Sequence, residues 1–263
     1  MTPVRLGAVG YLNARPLVYG LEHNPRFSLR YDLPSRCAEL LHAGDVDLGL
    51  IPSIEYLRGS DYRIVPNLAI ASRGAVASVA LYTKRSMADV RSIAMDTSSR
   101  TSVALVQVLC VRMFNIQPTI EMRGPDLVDM LDRSDAALII GDNALLLGGA
   151  AARDAEKIDL GEAWTVMTGL PFVYAFWAGP GAALTASDIG LLQQARDFGV
   201  ARPDEIARAY FNGAPGRQAI GARYLRDNIK YDLGEEERAG LELFYRYAAE
   251  AGVVPSARDL RFF

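Results

Sequence analysis

Histidine and cysteine are scarce in this chain, with two of each among 263 residues. His23, His42, Cys37 and Cys110 fall in no metal-ligand spacing, so no metal site is expected. Both cysteines lie among apolar neighbours and read as buried, reduced thiols. A basic excess is missing too. Lys and Arg number 28 against 31 Asp and Glu, and the net charge is −3. No basic run suggests a nucleic-acid surface. An anionic ligand would have to be met by local donors rather than a global positive field. No apolar run is long enough to span a bilayer, because Arg, Asp or Gly interrupts each candidate. Met1-Thr2-Pro3-Val4 enters the first expected strand without a charged or apolar leader, which points to a soluble, cytoplasmic protein. Walker, dinucleotide-fingerprint and nucleophile-elbow patterns are absent.

What the chain does have is apolar content, at 50% of its residues, enough for a sizeable core in one or two domains. Strand-like and helix-like runs alternate. Val4–Val9 reads as a strand, Pro16–Leu21 as a short helix and Leu29–Leu33 as a second strand. Pro34–His42 follows as a helix, Val46–Ile51 as a fully apolar strand and Ser53–Leu57 as a short helix. This alternation argues for a parallel α/β sheet covered on both faces. Tyr62–Ala71 and Ala75–Thr83 read as longer strands. A second set then begins: strand 91–95, helix 102–114, strand 119–122, helix 125–132 and strand 136–140. Phe172–Ala178 reads as a strand returning to the first unit, and the remainder is mostly helical. The plan is two α/β lobes joined by two crossing strands. Lobe I is expected at 1–83 plus 178–263, and lobe II at 84–177. Turns at the carboxyl ends of the strands should face the cleft between them.

Five turns hold the polar residues of interest. The first, Gly10-Tyr11-Leu12-Asn13-Ala14-Arg15-Pro16, leads from a strand into a helix, where backbone N–H groups can hold an anion. Asn13 is either a helix cap or a ligand contact. The second, Asp96–Ser102, sets several hydroxyls around Arg100 at a helix N-terminus, more than a cap requires. Arg100 either meets a ligand or pairs with a protein carboxylate. The third, Ser72–Ser78, contains Gly74, which permits close backbone approach. In the fourth, Gly141-Asp142-Asn143, Asp142 is a base or an N-cap. The fifth, Thr168-Gly169-Leu170-Pro171, is a hinge, a cleft wall or a simple loop.

Taken together, Gly-Tyr-Leu-Asn-Ala-Arg-Pro-Leu (10–17), Gly-Leu-Ile-Pro-Ser-Ile-Glu (49–55), Ser-Arg-Thr-Ser-Val (99–103), Ile-Gly-Asp-Asn-Ala-Leu (140–145) and Thr-Gly-Leu-Pro-Phe-Val (168–173) closely resemble the chorismate dehydratase family of the futalosine route to menaquinone. The likeness runs from Val4 to about Trp177. The helical C-terminal part fits in length but carries little motif. The resemblance implies a type II periplasmic-binding-protein-like fold with the ligand between two lobes. It implies a hydro-lyase that dehydrates chorismate to 3-[(1-carboxyvinyl)oxy]benzoate without a cofactor. On this resemblance Asn13 is the catalytic residue. The substrate contacts are Tyr11, Ser53, Ser72, Gly74, Ser78, Ser99, Arg100, Thr101, Ser102, Asp142, Thr168 and Gly169. A homodimer is neither required nor forbidden.

A sister family, dihydroxynaphthoate synthase, shares fold and pathway. Its opening turn resembles Ser-Pro-Cys-Pro-Asn-Asp and it uses a histidine; here the turn is Gly-Tyr-Leu-Asn and no histidine sits in a cleft motif. A non-catalytic small-anion binding protein is the other alternative. With no histidine available, the expectation is substrate-assisted catalysis, in which the enolpyruvyl carboxylate takes the ring proton. Asp142 and Glu55 are the competing bases, although a carboxylate would oppose a dianion.

Overall fold

The computed structural model describes residues 2–147 and 155–263. The strands are β1 Val4–Val9, β2 Phe27–Asp32, β3 Leu48–Pro52, β4 Tyr62–Ile64, β5 Ile70–Ser72, β6 Val79–Thr83, β7 Ser92–Asp96, β8 Thr119–Arg123, β9 Ala136–Ile140, β10 Glu156–Asp159 and β11 Phe172–Pro180. The α-helices are α1 Pro34–His42, α2 Thr101–Leu109, α3 Leu127–Arg133, α4 Gly141–Leu145, α5 Leu160–Thr168, α6 Ala186–Val200, α7 Pro203–Tyr210, α8 Pro215–Asp227 and α9 Glu235–Glu250.

These strands form two sheets. In the first the order is β2-β1-β3-β11-β4, with β5 also on β11; in the second it is β10-β6-β9-β7-β8. Within the first sheet β1 runs parallel to β2 and β3, and β11 is antiparallel to β3. Within the second, β7 is parallel to β8 and β9, while β6 is antiparallel to β9. β3 and β9 are buried along their whole length, which is why they read as unbroken apolar runs. The chain changes sheet between β5 and β6 and returns between α5 and β11. Both changes come earlier than residues 83 and 177, because β6 pairs with β9 and β10 and β11 pairs throughout with the first sheet.

Several local readings need correction. The expected strand 62–71 is broken into β4 and β5, with Pro66 and a left-handed Asn67 (φ 62°) between them. The expected strand 75–83 shortens to β6. Its first residues bond to a side chain instead of a strand: Val76 and Ala77 donate their N–H groups to the Asp159 carboxylate at 2.9 and 2.7 Å. The opening helix is a 3-10 helix over Leu12–Val18, starting before Pro16. α2 loosens into a π turn over Cys110–Phe114, and Asn115 stops it in the left-handed region. β10 and α5 are additions to the expected plan.

The covering helices pin the strands. Trp164 of α5 and Phe244 of α9 pack edge-on against each other and against Phe172 of β11, with ring centroids 4.9–6.0 Å apart. Both thiols are buried and free, and burial pushes each up to about 12. α6 carries a capping box between Thr185 and Asp188, and Asp188 also pairs with Arg26 at 2.5 Å. That pair, together with the Thr185 donors, holds the Asp188 carboxyl well below the usual carboxylate range. Its stabilising contribution is complete above the ordinary carboxylate pKa of about 3.9 and fades as pH falls toward the depressed folded value. Asp188→Asn should therefore lower Tm by roughly 2–6 °C at pH 7. The gap from the parent should narrow below about pH 4. Thermal melts across that range check this, and a gap that widens in acid contradicts it.

Candidate functional site

The carboxyl ends of β1, β3, β7 and β9 converge from the two sheets, and a cavity lies where they meet. Its wall includes Val9, Tyr11 and Asn13 beyond β1, Pro52 at the end of β3, Ser99, Thr101 and Ser102 beyond β7, and Ile140 and Gly141 at the end of β9. Val76 and Ser78 from the first change of sheet and Tyr174 from β11 also line it. This is where an open α/β fold places its ligand, because the loops after the strands carry free backbone groups.

Each polar group in the wall has a local reason for its position. Asn13 sits on the 3-10 helix, whose apolar side (Leu12, Ala14, Leu17, Val18) is buried. Tyr231 fixes the turn by donating to the Asn13 backbone oxygen at 3.0 Å, and the Tyr210 hydroxyl oxygen lies 3.0 Å from Gly10 O. The Asn13 side-chain Oδ1 is buried and has no hydrogen-bond partner. Leaving a buried acceptor unpaired costs about 1–3 kcal/mol. It is retained here in the cavity wall, where a ligand can supply the missing donor. Ser99 caps α2 by accepting from Ser102 N at 3.2 Å. Ser78 closes the opposite side, with its backbone oxygen accepting from Gly141 N at 2.8 Å.

The two sheets meet in a closed arrangement. Leu12 N donates to Asp142 Oδ1 at 3.2 Å, Ser35 N donates to Ser98 O at 3.2 Å, and Ile54 N donates to Thr101 Oγ1 at 3.2 Å. The Tyr11 hydroxyl lies 3.3 Å from Ser98 Oγ. Arg100 bridges to Glu39 at 2.9 Å and to Glu55 at 3.4 Å.

Of the residues singled out from the sequence, the structure gathers Tyr11, Asn13, Ser78, Ser99, Thr101 and Ser102 around the cavity. The others are engaged elsewhere. Arg100 is not in the wall, because fully buried Glu55 requires cations; Arg100 supplies one, with Arg58 and His42 beside it. Asp142 turns its carboxylate to Leu12 N and the Tyr210 hydroxyl. Burial raises its pKa, and those two hydrogen bonds oppose the rise. Ser53 donates to Val173 O at 2.8 Å, tying the return strand to the first sheet. Ser72 lies against the Tyr174 hydroxyl and Gly74 O, and Gly74 N donates to Thr165 Oγ1. Thr168 donates back to Trp164 O, and Gly169 (φ 74°) is the left-handed C-cap of α5, so this pair ends a helix. His42 lies exposed in the last turn of α1, outside the cavity wall, and its ring nitrogens meet Glu55 and Tyr62 at 3.0 and 2.9 Å.

Reading the turns alone misses Gly141 as a wall residue, Tyr174, and the tyrosines of the C-terminal helices. Tyr174 lies within an apolar strand, and the only available signal was a hydroxyl at a buried position. Among the described residues, no ionised side chain and no histidine lines this cavity. Its chemistry is that of neutral donors and acceptors around one unpartnered amide oxygen.

Solved structures of similar shape support the same architecture. A protein from Archaeoglobus fulgidus superposes with a TM-score of 0.79 over 96% of this chain and 99% of its own, at 16% identity. The periplasmic aliphatic sulphonate binding protein of Escherichia coli superposes at 0.66 over 100% of this chain and 92% of its own, at 18% identity. These show a periplasmic-binding-protein-like fold. In sequence, a chorismate dehydratase of Thermus thermophilus is 32% identical, covering 98% of each chain. A chorismate dehydratase of Campylobacter jejuni is also 32% identical, covering 64% of each. The family model for menaquinone biosynthesis matches residues 4–250. With that span matched and a full-length relative at this identity, the chain belongs to the menaquinone biosynthesis family.

Proposed function

We propose that this protein is a hydro-lyase that dehydrates chorismate to 3-[(1-carboxyvinyl)oxy]benzoate, the first step of the futalosine route to menaquinone, in the cytoplasm. The observation that carries the reading is the cavity itself: Ser78, Ser99, Thr101 and Ser102 line it together with Asn13, whose Oδ1 is unpartnered, and no charged side chain lies in the wall among the described residues. Neutral donors at a helix N-terminus suit carboxylates. An unpaired amide oxygen suits a hydroxyl, the group that must leave.

The reaction removes a proton from the ring carbon bearing the enolpyruvyl ether and a hydroxyl from the ring, and the ring becomes aromatic. The two protein carboxylates considered as bases, Asp142 and Glu55, are both committed to other partners. The substrate's own enolpyruvyl carboxylate takes the proton and returns it to the departing hydroxyl, which leaves as water. Holding those groups in place can supply roughly 7–11 kcal/mol of the barrier, so a weak intramolecular base suffices. Asn13 Oδ1 accepts from the ring hydroxyl and fixes its direction.

The test is direct. Incubating the protein with chorismate should give an aromatic enolpyruvyl product, resolved by chromatography and its ultraviolet spectrum. Chorismate bound but recovered unchanged would leave a binding protein and overturn the enzymatic reading.

A further inference from the structure

The C-terminal helices bring a buried phenol to the back of this cavity. Tyr224 of α8 is 2% exposed, and its hydroxyl lies 2.6 Å from Ser78 Oγ. Ser78 is itself buried, in the segment where the chain changes sheet. Burial raises the Tyr224 pKa, and its hydrogen bond with Ser78 opposes the rise. The phenol therefore stays protonated at neutral pH and acts through its geometry, not by transferring a proton.

The hydrogen-bond inventory gives that geometry a direction. A phenol carries one O–H donor, and a serine hydroxyl both donates and accepts. A Tyr224 hydroxyl that gives its proton to Ser78 Oγ leaves Ser78 its own proton to give a ligand. The phenol thus sets the orientation of one group in the cavity wall, a donor on Ser78.

We propose that Tyr224 is a positioning residue for the dehydration. It orients the Ser78 hydroxyl toward a substrate carboxylate. This rests on the function proposed above. Tyr224→Phe keeps the ring and removes only the hydroxyl. It should lower kcat about tenfold, the scale of one lost hydrogen bond made in the transition state, with KM changed less than threefold. Tyr56→Phe is the matched control. That phenol is equally buried, donates to Asp259 O at 3.0 Å and accepts from Arg261 N at 2.9 Å, and does not line the cavity. It should lower Tm while leaving kcat unchanged. In a Ser78→Ala background, Tyr224→Phe should add much less than it costs alone, because its effect passes through Ser78.

A parent protein that turns over chorismate beside a Tyr224→Phe variant of equal kcat overturns the inference and leaves the function standing. Equal kcat losses in the Tyr224 and Tyr56 variants, or full additivity with Ser78→Ala, also overturn it. A parent protein that does not turn over chorismate overturns both.

Discussion

Replacing Asn13 with Ala is expected to reduce turnover of chorismate about 10²–10³-fold, the scale seen when one preorganised polar group is removed from an active site. Among the described residues, no other fully buried side-chain acceptor in the cavity wall is unpaired. The Ala variant should bind substrate with little loss, since the serine and threonine hydroxyls remain, so kcat should fall far more than KM rises. The turn should hold, because it is fixed through the Asn13 backbone oxygen by Tyr231 and by its buried apolar neighbours. Asp142→Asn is the informative contrast. Its carboxylate accepts from Leu12 N and Tyr210, and an amide keeps one acceptor and sheds the burial cost of the charge. That variant should stay within about fivefold of the parent, the loss of roughly one hydrogen bond. Steady-state kinetics on both variants decide the matter. If Asp142→Asn abolishes turnover while substrate still binds, and Asn13→Ala is nearly silent, the protein carboxylate is the base and the substrate is not.

Turns that follow regular strands are easier to read from a sequence than the long-range contacts that hold them. Strand runs with one pattern throughout were legible: β1, β9 and α1 have the bounds that periodicity and proline placement suggest. Turns following such strands were legible for the same reason, which is how Tyr11, Asn13, Ser99, Thr101 and Ser102 came together. Arg100 illustrates the limit. Its neighbours suggest an anion site, but its partner is set by Glu55, 45 residues earlier, whose complete burial no local pattern reveals. Asp159 is similar. It caps α5 and takes two N–H groups from the 76–77 backbone, so a stretch that reads as strand is held as a turn. Thr168-Gly169 shows a different limit: a helix C-cap glycine and a ligand-wall glycine look alike in sequence. The phenols at 210, 224 and 231 lie beyond the part of the chain that carried motifs. Their roles come from packing of the C-terminal helices against the opening turn and Ser78, and long-range contacts of that kind leave no periodic trace.

Gly141→Val should cut kcat/KM by about 100-fold by obstructing closure of the cleft. Gly141 has φ 62°, in the left-handed region where a β-branched residue is strained. It is also the point at which the second sheet meets the opening turn. A Cβ there would lie 2.8–2.9 Å from three atoms of the Tyr11 ring, closer than van der Waals contact allows. The Tyr11 hydroxyl is engaged with Ser98, so the ring cannot retreat without giving up that contact. Gly141 N is bonded to Ser78 O, so the glycine backbone cannot move without disturbing Ser78. The least costly response is for the two lobes to stay apart, which breaks the Leu12–Asp142 and Ser35–Ser98 hydrogen bonds. A closure penalty of about 3 kcal/mol from strain and lost contacts corresponds to roughly a hundredfold in kcat/KM. Gly252→Val supplies the control. Gly252 has φ 70°, and a Cβ there would meet nothing within 4 Å, so the variant isolates backbone strain from the Tyr11 clash. It should lose stability and keep kcat/KM. Small-angle scattering with the benzoate product added should show the parent more compact than Gly141→Val. Kinetics within threefold of the parent, or scattering curves that coincide, would show that the lobes do not need to close on Tyr11 for the reaction to proceed.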